Sequence, residues 1–156
     1  MPAAQDPDPA LATPAPVSLT LSPLTVIAES PIQALPAQYV DFFQRFNRGE
    51  YFAAHEILEE LWLQDRRGPS GDYFKGLIQI AGAFVHLEKG RLQPGQSLLK
   101  LARANLEKYP PDYLRWSVAE GLLFIGGWLQ KLVAEASISL LPLPRLQPPG
   151  GDVGAG

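Results

Sequence analysis

The sequence contains no cysteine among its 156 residues, and this absence excludes three kinds of chemistry. The chain can form neither a disulfide framework nor a thiolate zinc site, and it has no cysteine nucleophile. The composition fits a reducing compartment, and we expect a cytoplasmic protein.

Basic residues are also scarce, because the first is Arg45, none of them form a long block, and the formal net charge is −3. The N-terminus therefore lacks the positive region of a secretory signal and the arginines of a transit peptide. Without a basic surface we expect no nucleic-acid partner. The most apolar run, residues 121–129, is too short to cross a bilayer, so we expect no membrane partner.

Prolines divide the chain into three parts. Residues 1–35 contain seven prolines and almost no charge, which favours a disordered N-terminal tail. Residues 137–156 return to proline and glycine and predict a flexible C-terminal tail. Between them, residues 36–136 predict one helical domain. The hydrophobic fraction of 46% is ordinary for a globular protein with a core.

Apolar residues in the central part recur at helical spacing between Gly- and Pro-rich breaks. Gly49 is predicted to end the first helix in the left-handed conformation. The connections are short, which is typical of antiparallel neighbours. The predicted fold is all-α, a single antiparallel bundle of about five helices with no strand pair. The predicted helices cover about 36–47, 50–65, 72–89, 94–108 and 112–136.

The second and third predicted helices carry a polar cluster inside their apolar stripes. His55 and Glu59 are four residues apart and share a helix face. In an antiparallel hairpin, Glu59 lies level with Gln79, and His86 lies about one turn beyond the level of His55. Burying such groups without partners is costly, so we expect these four side chains to meet.

Two interpretations of this cluster follow from the residues. In the first it is a buried structural network, in which Glu59 accepts hydrogen bonds from Gln79 and a His55 ring nitrogen. His86 would then bond a backbone carbonyl or Tyr51. In the second it is a functional site, either a metal centre or a metal-free binding pocket.

The metal interpretation depends on His55-Glu56-x-x-Glu59, which resembles the His-Glu-x-x-His zinc helix with a carboxylate as its second ligand. His55, Glu59 and His86 would hold a divalent ion, zinc or manganese. Glu56 would be the neighbouring general base, and Gln79 would orient the bound water. No other cofactor is expected.

The same residues resemble the signature of the DUF309 family over roughly residues 39–108. The matching pattern is Phe46-Asn47-x-Gly49-x-Tyr51-Phe52-x-x-His55-Glu56-x-x-Glu59-x-x-Trp62, then Gly76-Leu77-Ile78-Gln79-x-Ala81, then His86. The resemblance implies a small all-helical protein of a bacterial and archaeal family of unknown function, sometimes labelled predicted metal-dependent hydrolases. The signature residues carried onto this chain are Asn47, Gly49, His55, Glu56, Glu59, Trp62, Gln79 and His86.

The sequence thus predicts a DUF309-like protein with two functional hypotheses. The first is a metal-dependent hydrolase built on the His/Glu/Gln cluster. The alternative is a non-catalytic helical module in which the cluster is structural. In that case the aromatic face of the last helix binds a protein partner or a second copy of the chain.

Overall fold

A computed structural model describes residues 35–134 and 141–150. The elements in these ranges are α1 (Ala37–Asn47), α2 (Tyr51–Gln64), α3 (Gly71–Glu88), α4 (Leu92–Leu106), β1 (Asp112–Tyr113), β2 (Trp116–Ser117) and α5 (Val118–Ala134). The predicted all-α fold is confirmed. None of these helices has the length and apolarity that crossing a membrane requires. The predicted N-terminal tail lies outside the described residues, apart from Leu35.

The core begins on one face of α1. Four aromatic side chains of α1 recur at helical spacing and are fully buried: Tyr39, Phe42, Phe43 and Phe46. The ring of Phe46 lies 5.1 Å from that of Tyr51 and 5.6 Å from that of Phe84, measured between centroids. It also lies 6.3 Å from Phe124. One side chain therefore joins four helices, α1, α2, α3 and α5.

The central helix is α3, which is buried on most of its circumference as its nearly continuous apolar sequence predicts. Gly76 lets α4 approach it closely. A Cβ at Gly76 would lie 2.9 Å from Leu106 Cγ and 3.3 Å from the Ala102 carbonyl oxygen. Real Cβ atoms are almost never found that close to a neighbour, so a larger residue at Gly76 would push α4 away from α3.

The predicted end of α1 at Gly49 is confirmed. Gly49 has a φ of 84°, in the left-handed region that favours glycine. The main-chain N–H of Glu50 donates to the Arg45 carbonyl at 2.9 Å, which satisfies one of the last carbonyls of α1. Helix α2 then begins at Tyr51, so the turn directs α2 back along α1.

A β-hairpin occupies the place where the sequence predicts the start of the last helix at Asp112. Strands β1 and β2 pair antiparallel, with Tyr113 opposite Trp116. The turn residues Leu114 and Arg115 have φ values of 48° and 61°. A two-residue turn of this kind is usually Asn-Gly or Asp-Gly, so the residue types here do not indicate it. The expectation of no strand pair is wrong at this point.

Helix α5 consequently begins at Val118. The main-chain N–H groups of Val118 and Ala119 donate to the Pro111 carbonyl at 2.7 and 3.2 Å. The N–H of Glu120 donates to Ser117 Oγ at 3.1 Å, so Ser117, and not Asp112, provides the side-chain cap.

Residues 141–150, which lie within the predicted C-terminal tail, pack on the helical domain. Asn47 Nδ2 donates to the Leu146 carbonyl at 2.8 Å, and the Leu146 N–H donates to Asn47 Oδ1 at 2.7 Å. The side chains of Pro144 and Leu146 are buried. Single apolar residues among prolines show no periodicity, so only the folded domain reveals where they pack.

Candidate functional site

The histidine of α2 lies against the predicted partner face of α3. His55 Cδ2 is 3.9 Å from the position that a Cβ would take at Gly82. Gly82 stands about one turn from both Gln79 and His86, on the same face of α3. The Phe52 ring lies nearly parallel to the His55 ring, with 6.0 Å between centroids. The structure therefore places His55 beside the part of α3 that carries Gln79 and His86.

Gln79 is bonded to α4 and not to Glu59. Asn105 Nδ2 donates to Gln79 Oε1 at 2.8 Å, and Lys108 Nζ donates to Asn105 Oδ1 at 3.3 Å. Among the hydrogen bonds within the described residues, none joins Glu59 to Gln79 or to His55. The expected network over α2 and α3 is thus replaced by a bond between α3 and α4.

Both histidines have a buried ring nitrogen without a partner. Nδ1 of His55 and Nδ1 of His86 are inaccessible to solvent, and neither finds a hydrogen-bond partner in the described part of the chain. An unsatisfied buried polar atom costs about 1–3 kcal/mol. The expected bond from His86 to Tyr51 or to a backbone carbonyl is absent for this atom.

The predicted metal ligands His55, Glu59 and His86 do not form a ligand group as they are placed. Within residues 35–134 and 141–150, no three His, Asp or Glu side chains come together in a way that could hold a metal ion. Glu59 is half-buried, and the predicted general base Glu56 points to solvent. The metal interpretation of these residues therefore stays a prediction.

The other signature residues have structural positions. Gly49 makes the turn after α1, and Asn47 bonds the main chain of Leu146. Trp62 is half-buried near the end of α2, with the Arg66 guanidinium carbon 6.0 Å from its ring centroid. This distance is at the outer limit of a cation–π contact.

A second candidate site is the segment groove, which we define by Asn47, Arg115 and Trp116. Besides the Asn47 bonds, Trp116 Nε1 donates to the Gln147 carbonyl at 2.7 Å. The Gly150 N–H donates to the Arg115 carbonyl, also at 2.7 Å. Residues 141–150 are thus bound at three points through main-chain groups.

Two cavities adjoin the segment groove. One of about 190 Å³ lies beside Leu146 and is bounded by the rings of Trp116 and Phe124. The other, of about 610 Å³, lies between Arg115 and the last described residues, Pro148 and Gly150 among them. The bound segment therefore leaves space beside its contact with the domain.

Two buried tyrosines support the strained hairpin turn. The hydroxyls of Tyr39 and Tyr73 are 2.6 Å apart, and the Tyr39 hydroxyl donates to the Leu114 carbonyl at 3.0 Å. Tyr73 also lies 3.4 Å from the Tyr113 carbonyl oxygen. Burial raises the pKa of Tyr39 and of Tyr73 well above the ordinary value, because the phenolate loses its hydration.

Stability should fall at alkaline pH because of this pair. Below about pH 10 both phenols are neutral in the folded and unfolded states, and their contribution is fully present. Above that pH the unfolded chain loses phenol protons that the folded chain retains, so unfolding is favoured by up to about 1.4 kcal/mol per pH unit for each tyrosine. Urea midpoints between pH 8 and pH 11 measure this loss. Tyr39→Phe should show a shallower decline, and equal slopes would contradict the assignment.

Asn105, Arg115 and the hydrogen-bonding role of Trp116 are the site features that the sequence reasoning missed. Asn105 lies three residues after the buried Ala102 and next to the buried Leu106 on α4, so its place beside the inward face was a usable signal. Trp116 falls within the predicted last helix, residues 112–136, so its sequence position indicates an apolar helix face and not a hydrogen-bond donor. Nothing local marks Arg115, since its role depends on its main-chain carbonyl.

Comparison with known proteins supports the resemblance. Residues 39–98 match the family model described as domain of unknown function (DUF309). An uncharacterized protein of Aquifex aeolicus (strain VF5) is 27% identical over 97 residues, covering 62% of this chain and 28% of that protein. The uncharacterized protein YpuF of Bacillus subtilis (strain 168) is 40% identical over 52 residues, covering 33% of this chain and 30% of that protein.

The chain therefore spans less than a third of the length of each of these relatives. No solved structure matches the chain. The matched family segment contains every signature residue from Asn47 to His86, but neither the hairpin nor α5.

Proposed function

We propose that the chain is a non-catalytic helical module. Its residues 39–98 match the DUF309 family model, and the relatives that it matches are uncharacterised proteins. The chain assembles with a second copy through the outer face of α5. We define this outer face by Leu123, Gly126, Gly127, Gln130 and Val133. The exposure of its apolar side chains is the observation that carries the proposal.

The outer face is apolar although it is turned away from the core. Leu123 is 75% exposed and Val133 is 79% exposed. Among the residues that the structure describes, a Cβ at Gly126 or Gly127 would meet nothing within 4 Å, which leaves room for a neighbouring helix to approach the backbone there. Exposed contiguous apolar surface of this kind usually marks an interaction site.

The charges of α5 favour an antiparallel copy of the same helix as the partner. Glu120 and Lys131 are eleven residues apart, which is about three turns, so they lie on one side of α5. No charged residue stands between them. Antiparallel docking about the midpoint of this stretch brings Glu120 to the partner's Lys131, and two-fold symmetry makes the pair twice. Parallel docking would oppose like charges.

The hydrogen bond between Gln79 and Asn105 supports the non-catalytic interpretation of the cluster. Gln79 Oε1 is engaged by the amide of Asn105, which joins α3 to α4. A side chain held in this way contributes to helix register.

Exchanging the two charges of α5 tests the assembly. Glu120→Lys alone should place two lysines together in each pair and raise the dimer dissociation constant by about tenfold, since surface pairs contribute about 0.2–1 kcal/mol each. Glu120→Lys combined with Lys131→Glu should restore dimerisation. Sedimentation velocity over a concentration series at low salt measures both.

Lys100→Glu, on the exposed side of α4, is the matched control and should leave the dissociation constant unchanged. A wild-type chain that sediments as a monomer at every concentration would contradict the proposal. So would a double variant that stays as weak as the single one.

A metal-dependent hydrolase is the second candidate, and the unpaired Nδ1 atoms of His55 and His86 favour it, because a neutral histidine ligates metal through such a lone pair. A chain of this kind should melt at higher temperature as zinc or manganese is added. His55→Ala and His86→Ala should abolish that effect. Our first proposal predicts melting curves that neither metal nor chelator shifts.

A further inference from the structure

The segment groove recognises a backbone conformation, and this suggests a binding activity separate from the outer face of α5. We propose that Asn47, Arg115 and Trp116 form a binding site for extended, proline-rich peptides with one leucine anchor. In this chain the site is filled by the chain's own residues 144–150. A peptide of the same chemistry can take their place.

The hydrogen bonds constrain the backbone of the ligand and do not select its side chains. The Asn47 amide engages both the N–H and the carbonyl of Leu146, which resembles the pairing that an added β-strand makes. Trp116 Nε1 and the Arg115 carbonyl engage the main chain at Gln147 and Gly150. All four bonds go to main-chain groups, so the groove contacts the backbone of the segment, which runs without a turn through Leu146 and Gln147 and ends in a turn at Gly150, where φ is 69°.

Proline is compatible with this site because the main-chain N–H groups that donate to the groove belong to other residues of the segment. The ligand N–H groups that donate belong to Leu146 and Gly150, which are not prolines. Pro144 and Pro148 lack an N–H and favour an extended backbone, so they lower the entropy lost on binding without removing a required donor.

Only two side chains of the bound segment are buried against the domain. Leu146 and Pro144 are buried, whereas Leu143 is 87% exposed and Arg145 and Gln147 are also exposed. The two cavities beside the groove, about 190 and 610 Å³, remain open next to the segment. A ligand with a bulkier anchor or a longer extended run therefore has room that the segment does not use.

The groove belongs to the folded domain and does not need the segment to form it. Asn47 is the last residue of α1, fixed by the turn at Gly49. The hairpin that carries Arg115 and Trp116 is supported from within by Tyr39. We therefore expect the site to persist when the segment leaves it.

Competition between the segment and an added peptide tests the inference in the full chain. The probe is a fluorescein-labelled peptide with the sequence of residues 141–150, followed by fluorescence polarisation. The wild-type chain should bind it weakly, because its own segment occupies the groove. Leu146→Asp in the full chain should free the groove and bind the probe at least tenfold more tightly. Adding Asn47→Ala to that variant should weaken binding at least tenfold.

An unlabelled peptide with aspartate in place of its leucine should fail to displace the probe, which controls for unspecific capture. If Leu146→Asp lowers the cooperativity of thermal unfolding, Leu146→Ala replaces it in the same series. Absence of saturable binding to the chain with the weakened segment would overturn the inference. Binding that ignores Asn47→Ala would overturn it as well. Neither result bears on dimerisation through α5, which the charge exchange measures separately.

Discussion

Phe46→Ala is expected to destabilise the fold by about 3–5 kcal/mol, as for other buried phenylalanines. Phe46 is fully buried, and its ring contacts those of Tyr51, Phe84 and Phe124. Truncation removes apolar contacts with three other helices at once and leaves a cavity where they meet. The change in the free energy of unfolding is measured by urea denaturation.

Phe52→Ala is the matched control, because the same residue type is 59% exposed on the next helix. Its loss should cost less than about 1 kcal/mol, the range of surface substitutions. Similar costs at the two positions would contradict the assignment of Phe46 to the centre of the core.

Trp116→Ala is expected to have an effect of the same size, about 3–5 kcal/mol. Trp116 is 3% exposed, and its ring lies 5.6 Å from Phe43 and 6.2 Å from Tyr73, between centroids. The substitution also removes the Nε1 donor to the Gln147 carbonyl. It should therefore loosen the hairpin and the C-terminal segment together, and urea denaturation measures the loss of stability.

Two further variants separate packing from hydrogen bonding at this position. Trp116→Phe retains much of the apolar volume and loses the N–H donor, so it should cost about 1–2 kcal/mol. Trp62→Ala, at a half-buried tryptophan outside the hairpin, should cost clearly less than Trp116→Ala. If Trp116→Phe were as damaging as Trp116→Ala, the hydrogen bond would outweigh the packing, contrary to expectation.

Trp116 also shows the limit of predicting secondary structure from the local sequence pattern. Its spacing with Phe124 and Trp128 predicts a helix, and Trp128 does lie in α5. Trp116 instead lies in β2, because the hairpin is held by the Tyr39 hydroxyl at Leu114 and by the Tyr73 hydroxyl at Tyr113. These partners are distant in sequence, so neither propensity nor periodicity could indicate the hairpin.

For the cluster of His55, Gln79 and His86, the sequence likewise predicts one feature and not another. The spacing of His55 on α2 and of Gln79 and His86 on α3 correctly places His55 against the face of α3 that carries the other two. The spacing does not predict the hydrogen bonds, since Gln79 accepts from Asn105 of α4 and not from a residue of α2. The hydrogen-bond partner of Gln79 comes from α4, and a prediction that considers only α2 and α3 cannot include it.

By itself the sequence determined the all-α class, the helices α1 to α4 to within two residues at each end, and the left-handed turn at Gly49. These follow from apolar periodicity and from glycine and proline at the breaks, which act over neighbouring residues. Only the tertiary structure decided the hairpin, the partner of Gln79 and the docking of residues 141–150. Each of these depends on hydrogen bonds between residues far apart in the chain. Such bonds can form only after the helices have packed, because packing is what brings the donor and the acceptor together.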